Sequence, residues 1–247
     1  MRILVIVHSN SSTVPVIDKK ERYDHSPYTE RLESILNTWS KNVLPPHKFV
    51  ISGDAGLYNK YPDKEVWITA SGTSDTYDRL PFKTLSALRI ALTYKDWDFL
   101  IKVDDDTFVH FDRLKTFLNN IDPKTSFYGG LARHRQKFFP DKKVTFIHGG
   151  TGYILTRSAL LRAWNNLEDI ITENENIWRG NEDVALGMAM YKSKVEAFDF
   201  PDLFFHHYRH LDTKQTNIEN IMNGGIATHP IDPRTMKLLH ALLSLHK

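Results

Sequence analysis

Residues 97–109 read WDFLIKVDDDTFV. Phe99, Leu100, Ile101 and Val103 form a short apolar run, the pattern of a buried strand. The run stops at Asp104, Asp105 and Asp106. Three adjacent carboxylates repel one another and desolvate badly. A fold that sets them at the end of a buried strand needs positive charge there. A hard divalent cation with oxygen ligands meets that need. In open α/β sheets ligands gather at the carboxyl ends of strands, where this triplet falls. The competing reading is an acidic turn in solvent, which is the commoner case for three aspartates anywhere. The apolar run directly before these three favours the cation.

On the N-terminal side, Ile3 to Val7 is a continuous apolar run, as expected of a central parallel strand. His8 to Ser12 would lie at its carboxyl end. Residues 13–27 carry two prolines and many charges and read as a loop. Thr29 is expected to cap a helix in which Leu32, Ile35, Leu36 and Trp39 fall at helical spacing. Pro45 and Pro46 end that unit. Phe49–Ile51 and Glu65–Thr69 read as two further strands, so the order of elements says α/β. Residues 70–81 form a polar loop. The next helix has Leu85, Leu88 and Leu92 on one face. Lys83, in its first turn, gains nothing from a helix dipole that favours anions there. It either helps hold a phosphate or is a solvated lysine, and spacing does not choose between them.

On the C-terminal side, Leu114, Phe117, Leu118 and Ile121 predict a helix stopped by Asp122-Pro123. Ser126–Leu131 reads as a short strand and Arg133–Lys143 as a basic, aromatic loop. In FIHGGTGYILTRSAL (146–160), Gly149, Gly150 and Gly152 allow close backbone approach to a ligand. Tyr153–Leu155 is a strand, and Ser158 is expected to begin a short helix. No Gly-Lys-Ser/Thr ending and no GxGxxG opening a helix occur here, which excludes a phosphate loop and a dinucleotide site. In WRGNEDVALG (178–187), Asn181 is expected to cap a helix with Val184, Met188 and Tyr191 on one face. Glu182 and Asp183 fall in its first turn, where the dipole alone justifies carboxylates. Alternatively one of them is a general base in a cleft. The 12 histidines cluster late, in FFHHYRH (204–210) and IATHP (226–230). Imidazole is a common transition-metal ligand, though most of the twelve are expected to be structural. His229 stands out because Ile226-Ala227 leads into it and Pro230 follows. Pro233 starts a closing helix with Leu238, Leu239, Leu242 and Leu245.

Composition bounds the function. The 247 residues fit one large α/β domain or two small ones. A net charge of +2 argues for no particular partner and against bulk electrostatic binding to nucleic acid. No apolar run reaches the ~18 residues of a membrane span. The start, MRILVIVHSN, is too short and too soon polar for a signal peptide. With no cysteine there is neither a disulfide framework nor a thiolate metal site, and a reducing cytoplasm is the expected compartment.

Four stretches, in order, resemble the beta-1,3-glycosyltransferases of the Fringe and core 1 galactosyltransferase group. They are DTYDRLPFKTLSAL (75–88), WDFLIKVDDDTFV (97–109), HGGTGYILTRSAL with NEDVALG (148–160, 181–187), and IATHPIDPRTMKLL (226–239). RLESILNTW (31–39) is a weaker match. The resemblance implies a single GT-A domain over 1–247: a Rossmann-like, mixed, mainly parallel sheet flanked by helices. Its nucleotide-binding half would span about 1–110 and its acceptor-binding half about 111–247. It implies inverting transfer of a sugar from a UDP-sugar to a glycan hydroxyl in a beta-1,3 linkage, with Mn²⁺ as cofactor and Mg²⁺ as second choice. Galactose is the first expected sugar.

Position by position, the resemblance makes Asp106 and His229 metal ligands and Asp183 the catalytic base. Asp104 and Asp105 would face the nucleotide-sugar, and Asp75, Lys83, His8 and Ser9 would lie by the nucleotide. Gly149, Gly150, Trp178 and Glu182 would line the sugar and acceptor pocket. Eukaryotic members of the group are Golgi-lumenal, anchored and disulfide-bonded. The missing cysteines and anchor point instead to a cytoplasmic enzyme. Two other classes compete with transfer: a non-catalytic module holding a nucleotide-sugar or glycan, and a metal-dependent phosphodiester or pyrophosphate hydrolase.

Overall fold

The computed structural model describes residues 1–13, 26–70, 75–134, 144–173, 177–206 and 213–245. Its strands and helices alternate through the first half. The order is β1 (Ile3–His8), α1 (Tyr28–Asn37), β2 (Lys48–Gly53), α2 (Ala55–Lys60), β3 (Val66–Ile68), α3 (Leu80–Thr93), β4 (Phe99–Asp104), β5 (Phe108–Val109) and α4 (Phe111–Leu118). The second half carries β6 (Tyr128–Gly130), β7 (Ala132–His134), β8 (Thr145–Ile147), β9 (Tyr153–Thr156) and α5 (Arg157–Glu173). It continues with α6 (Glu182–Lys192), β10 (Ala197–Asp199), β11 (Phe204–His206), α7 (Thr213–Met222), β12 (Ala227–His229) and α8 (Pro233–Leu245).

Seven strands form the central sheet in the order β10-β6-β9-β4-β1-β2-β3. It is parallel except at β9, which runs antiparallel to β4 and β6. Apolar runs such as ILVIV are continuous because helices cover both faces. Side chains of successive strand residues point to opposite faces. Leu4, Ile6 and Leu100 therefore pack in one core with α3, α5 and α6. Ile3, Val5, Val7, Phe99, Ile101 and Val103 pack in the other with α1, α4 and α8. By the same alternation Lys102, the one charge inside the apolar run, shares the face of Leu100. It lies 1% exposed, toward α6.

A second sheet of three strands, β11-β12-β5, fixes the site. β5 starts two residues after the aspartate triplet. β12 pairs with it antiparallel, Ala227 opposite Val109 and Thr228 opposite Phe108. That register carries His229 back to the triplet, and Ile231 N–H donates to the Asp106 carbonyl at 2.8 Å.

Several sequence expectations shift. Thr29 lies inside the first turn of α1, and the residue before that helix, Pro27, makes no side-chain cap. Trp39 starts a short 3₁₀ turn, where its indole N–H donates to the Thr107 carbonyl at 3.1 Å. α5 is not short: it runs 17 residues from Arg157, because Ala159, Leu160, Ala163, Leu167, Ile170 and Ile171 hold the helical period against the sheet. Asn181 precedes α6 without a side-chain cap. Tyr191, Leu238 and Leu245, expected on apolar faces, are exposed. Most of the loop expected at 13–27, most of the basic loop at 133–143, and His207 and His210 lie outside the described residues.

Candidate active site

The carboxyl ends of β1 and β4 open onto a cleft of about 600 Å³. Parallel register aligns His8 with Asp104 on one side and with Ser52 on the other. The first wall is a set of side chains paired with each other. His8 is buried, its Nδ1 2.9 Å from Ser52 Oγ and its Nε2 3.1 Å from Thr84 Oγ1. Burial, with Lys102 and Lys83 nearby, holds its pKa well below that of an ordinary imidazole. Ser9 Oγ donates to Asp105 at 2.7 Å. Lys83 is not a solvated lysine. It is 6% exposed and donates to Asp75 at 2.7 Å and to the Ser9 carbonyl. Burial raises the Asp75 pKa although Lys83 opposes it.

The triplet divides three ways. Asp104 receives a 2.6 Å ion pair from Lys102. Asp105 is 3% exposed, and burial pushes its carboxyl up to about 7 despite Arg31 at 3.9 Å. Asp106 lies between Arg31, at 3.1 Å, and His229 Nε2, at 3.0 Å. Burial alone would raise it, but the His229 imidazole and the Arg31 guanidinium hold it well below the usual carboxylate range. Burial would likewise depress His229, and the Asp106 carboxylate instead raises it.

Asp104, Asp106 and His229 can each offer a ligand atom within 4.8 Å of the others. Two carboxylates and an imidazole, with room for phosphate oxygens in the cleft, suit a hard-to-borderline divalent ion such as Mn²⁺. Asp104, expected only beside the nucleotide-sugar, thus stands within ligand reach, and the buried Asp105 does not join that group.

The opposite wall is built by α6 and the glycine turn after β8. Asp183 lines the cleft. Its carboxylate accepts the Gly149 N–H at 3.0 Å and the Val184 N–H at 2.8 Å. Its neighbour Glu182 also borders the cleft, but it is 2% exposed and clasped by Lys102 at 2.6 Å. Burial pushes Glu182 up to about 7 even against that lysine. The glycines are needed for contact: a Cβ on Gly149 would lie 2.5 Å from Glu182 Oε1, and one on Gly150 2.5–2.8 Å from three His229 ring atoms.

Trp178 corrects an expectation. It is 5% exposed and packs in the core beneath α5 and α6, so it lines no part of the cleft. Tyr77 stands at the rim instead, 72% exposed, its ring over Gly180 where a Cβ would lie, and the Gly180 φ of +64° itself favours glycine. Sequence reasoning missed Arg31, Lys102, His148, His206 and Tyr77. Lys102 carried a signal as a charge inside an apolar run, and His206 carried one as a member of the late histidine cluster.

Known proteins add the lineage. The Fringe-like family model matches residues 25–229. A Xenopus laevis glycoprotein-N-acetylgalactosamine 3-beta-galactosyltransferase 1 is 30% identical over 169 residues, 65% of this chain and 45% of that protein. A probable beta-1,3-galactosyltransferase 13 of Arabidopsis thaliana is 28% identical over 131 residues, 49% of this chain and 38% of that protein. The chain thus spans less than half the length of either relative. Among solved structures, the galactosyltransferase LgtC in complex with donor and acceptor sugar analogues superposes with a TM-score of 0.55. The match has 10% identity and covers 97% of this chain and 95% of that one. A glycosyltransferase involved in glycosylation of the major capsid of PBCV-1 gives 0.50, also at 10% identity, over 97% and 98%. These likenesses identify the GT-A fold. By the match over residues 25–229, this chain belongs to the Fringe-like family.

Proposed function

We propose that the protein is a glycosyltransferase that moves a sugar from a UDP-sugar to a glycan hydroxyl with inversion, most simply galactose in a beta-1,3 linkage. One observation carries this reading. A carboxylate held by two backbone N–H groups, Asp183, faces the same cleft as the Asp104–Asp106–His229 ligand group. Inverting transfer needs those two features: a base on one side of the sugar and a means of neutralising diphosphate on the other. The sugar and linkage come from the names of the relatives and from the sequence motifs.

Asp104, Asp106 and His229 would hold Mn²⁺, with Mg²⁺ as second choice. A cation there supplies Lewis-acid neutralisation of the leaving diphosphate. The chain's own residues do the rest. Lys83, fixed by Asp75, offers positive charge near the phosphates. Arg31 is already bound to Asp106 and can turn toward an anion when a cation takes that carboxylate. His8 and Ser9 border the nucleotide. Gly149 and Gly150 let the backbone approach the sugar, and the exposed Tyr77 ring offers an aromatic face in place of Trp178. Asp183 accepts the acceptor hydroxyl's proton as that oxygen attacks the anomeric carbon. Its two N–H bonds keep the carboxylate aimed. Glu182, tied to Lys102, is held out of that role.

The test is transfer from UDP-galactose, and from a panel of other UDP-sugars, to a glycan array with Mn²⁺. Asp183→Asn should lower transfer by roughly 10²–10⁴-fold while Mn²⁺-dependent UDP binding persists. Near wild-type transfer in that variant would remove Asp183 as base. Slow UDP-sugar hydrolysis would not separate transferase from hydrolase, whereas sugar appearing on an acceptor would. Binding without turnover would favour the non-catalytic module.

A further inference from the structure

His206 belongs to the late histidine cluster that the transfer chemistry does not use. It ends β11, and parallel pairing makes it the register partner of His229 in β12. Both imidazoles therefore leave the small sheet on one face, and their Nδ1 atoms lie 3.0 Å apart. His148, from the glycine turn after β8, closes the group. Its ring centroid is 4.0 Å from that of His206 and 5.8 Å from that of His229. Each of the three can offer a ligand nitrogen within 4.8 Å of the others. Gly150 makes the approach possible, because a Cβ there would occupy the His229 ring position.

We propose that His148, His206 and His229 form a second cation site, selective for Zn²⁺-class ions and mutually exclusive with the Asp104–Asp106–His229 group. The donor set is the first argument. Three imidazoles with no carboxylate suit a borderline metal such as Zn²⁺, and three protein ligands leave its fourth position open. Two nitrogens on a tetrahedral zinc with bonds of about 2.0–2.1 Å lie about 3.3–3.4 Å apart. The His206–His229 pair needs to open by only a few tenths of an ångström.

The second argument is the proton on His229. Its Nε2 faces Asp106 at 3.0 Å and its Nδ1 faces His206. A neutral imidazole has one N–H and one lone pair. If Nδ1 binds zinc, Nε2–H donates to Asp106, the carboxylate–histidine–zinc arrangement that orients metal-bound histidines. If Nε2 instead binds a cation held by Asp104 and Asp106, Nδ1 carries the proton and donates to His206. One ring cannot serve both ions while neutral. Among the described residues the site has a local cost. His148 Nδ1 accepts the Thr151 N–H at 3.3 Å, so ligation through Nε2 gives up that long bond.

The consequence is that Zn²⁺ acts as an antagonist of the Mn²⁺ site. The site itself rests on histidine geometry and not on the transfer reaction. The test uses the whole, metal-stripped chain and three probes: Co²⁺ spectroscopy, Zn²⁺ calorimetry, and Mn²⁺-dependent UDP binding. Co²⁺ should give the intense visible bands of a tetrahedral nitrogen-rich site, and Zn²⁺ should displace it. His206→Gln should abolish those bands and weaken Zn²⁺ binding by at least about tenfold. It should retain most Mn²⁺-dependent UDP binding, because His206 is not a ligand of that cation and a glutamine oxygen can still accept the His229 Nδ1–H. Zn²⁺ should weaken Mn²⁺-dependent UDP binding in the wild type and not in the variant. His148→Gln lies on a turn rather than in the sheet, and gives the same Co²⁺ and Zn²⁺ readout should the first variant fold poorly. Equal Zn²⁺ affinity in wild type and both variants would overturn the site, as would only the weak spectrum of six-coordinate Co²⁺. Zn²⁺ and Mn²⁺ binding together, one each, would overturn the exclusion. Loss of UDP binding in the wild type would count against the transferase reading and leave the histidine site standing.

Discussion

The two walls of the cleft are built on different principles. On the wall made by β1, β4 and α3, nearly every charged or polar group is paired with another side chain: Lys83 with Asp75, Ser9 with Asp105, Arg31 with Asp106, His8 with Ser52 and Thr84. On the wall made by α6 and the glycine turn, the Asp183 carboxylate is held by backbone N–H groups, and glycines set how closely His229 and Glu182 approach. A wall of paired side chains can exchange partners when a charged ligand enters. A wall positioned by backbone holds one geometry whether or not a ligand is there. That division suits the proposed transfer, in which a charged donor enters on one side and a base is aimed from the other.

Lys102 joins the walls, and removing it should have the largest effect. Its ammonium lies 2.6 Å from Asp104 on β4 and 2.6 Å from Glu182 on α6, all but sealed from water. Lys102→Met would leave Glu182 buried without its cation. Breaking such a pair from one side costs roughly 3–5 kcal/mol of folding stability, read by urea denaturation. The double variant Lys102→Met/Glu182→Gln should recover a substantial part, because it removes the orphaned charge as well. If the single and double variants are equally unstable, the bridge is ordinary packing and the two walls are held together elsewhere.

Replacing a glycine of the turn should cost less in stability and more in the site. In Gly150→Ala the new methyl would meet the His229 ring at 2.5–2.8 Å, and the ring would have to leave its 3.0 Å contact with Asp106. Overpacking of this kind costs typically about 1–3 kcal/mol. Mn²⁺-dependent UDP binding should fall along with it, since a ligand is displaced. Unchanged UDP and Mn²⁺ titrations in Gly150→Ala would mean that His229 is not a ligand of that cation. Gly149→Ala is harsher on neighbours that cannot give way, because the Glu182 carboxylate it meets is pinned by Lys102.

The same contrast explains what could be read from the chain alone. The wall on β1 and β4 was legible because strands that buried are continuous apolar runs, and the residues just past them fall at one sheet edge. The α/β class, the placement of His8, Ser9 and the triplet, and the cleft position of Asp183 all follow from that logic and from the motifs. The pairings across the cleft were not legible. Arg31 sits in a helix whose apolar period reads the same whether its guanidinium meets Asp106 or water. His206 meets His229 only because a three-residue strand pairs in parallel with another, and strands that short leave almost no pattern. Trp178 was expected at the sugar because an aromatic beside an acidic motif fits a sugar platform, although a core tryptophan is the commoner case. Burial decided it.

The smallest predicted effect is a pH dependence, and it tests whether the donor wall is as closed as its pairings suggest. His8 is neutral in the folded protein because burial, with Lys102 and Lys83 nearby, depresses its pKa well below the ordinary 6.5. The unfolded chain would carry a normal imidazole. Above pH 6.5 neither state binds the proton, and the native arrangement of His8 with Ser52 and Thr84 contributes in full. As pH falls below 6.5 the unfolded state takes up the proton first. Stability is therefore lost, with a slope that approaches about 1.4 kcal/mol per pH unit until the folded pKa is reached. His8→Gln removes that titration, so its stability should fall less steeply between pH 6.5 and 5 than that of the wild type, although it starts lower. Parallel stability curves for the two proteins would mean that His8 already exchanges protons with solvent in the folded state. The donor wall would then be open to water before any nucleotide arrives, and the contrast with the backbone-held wall would weaken accordingly.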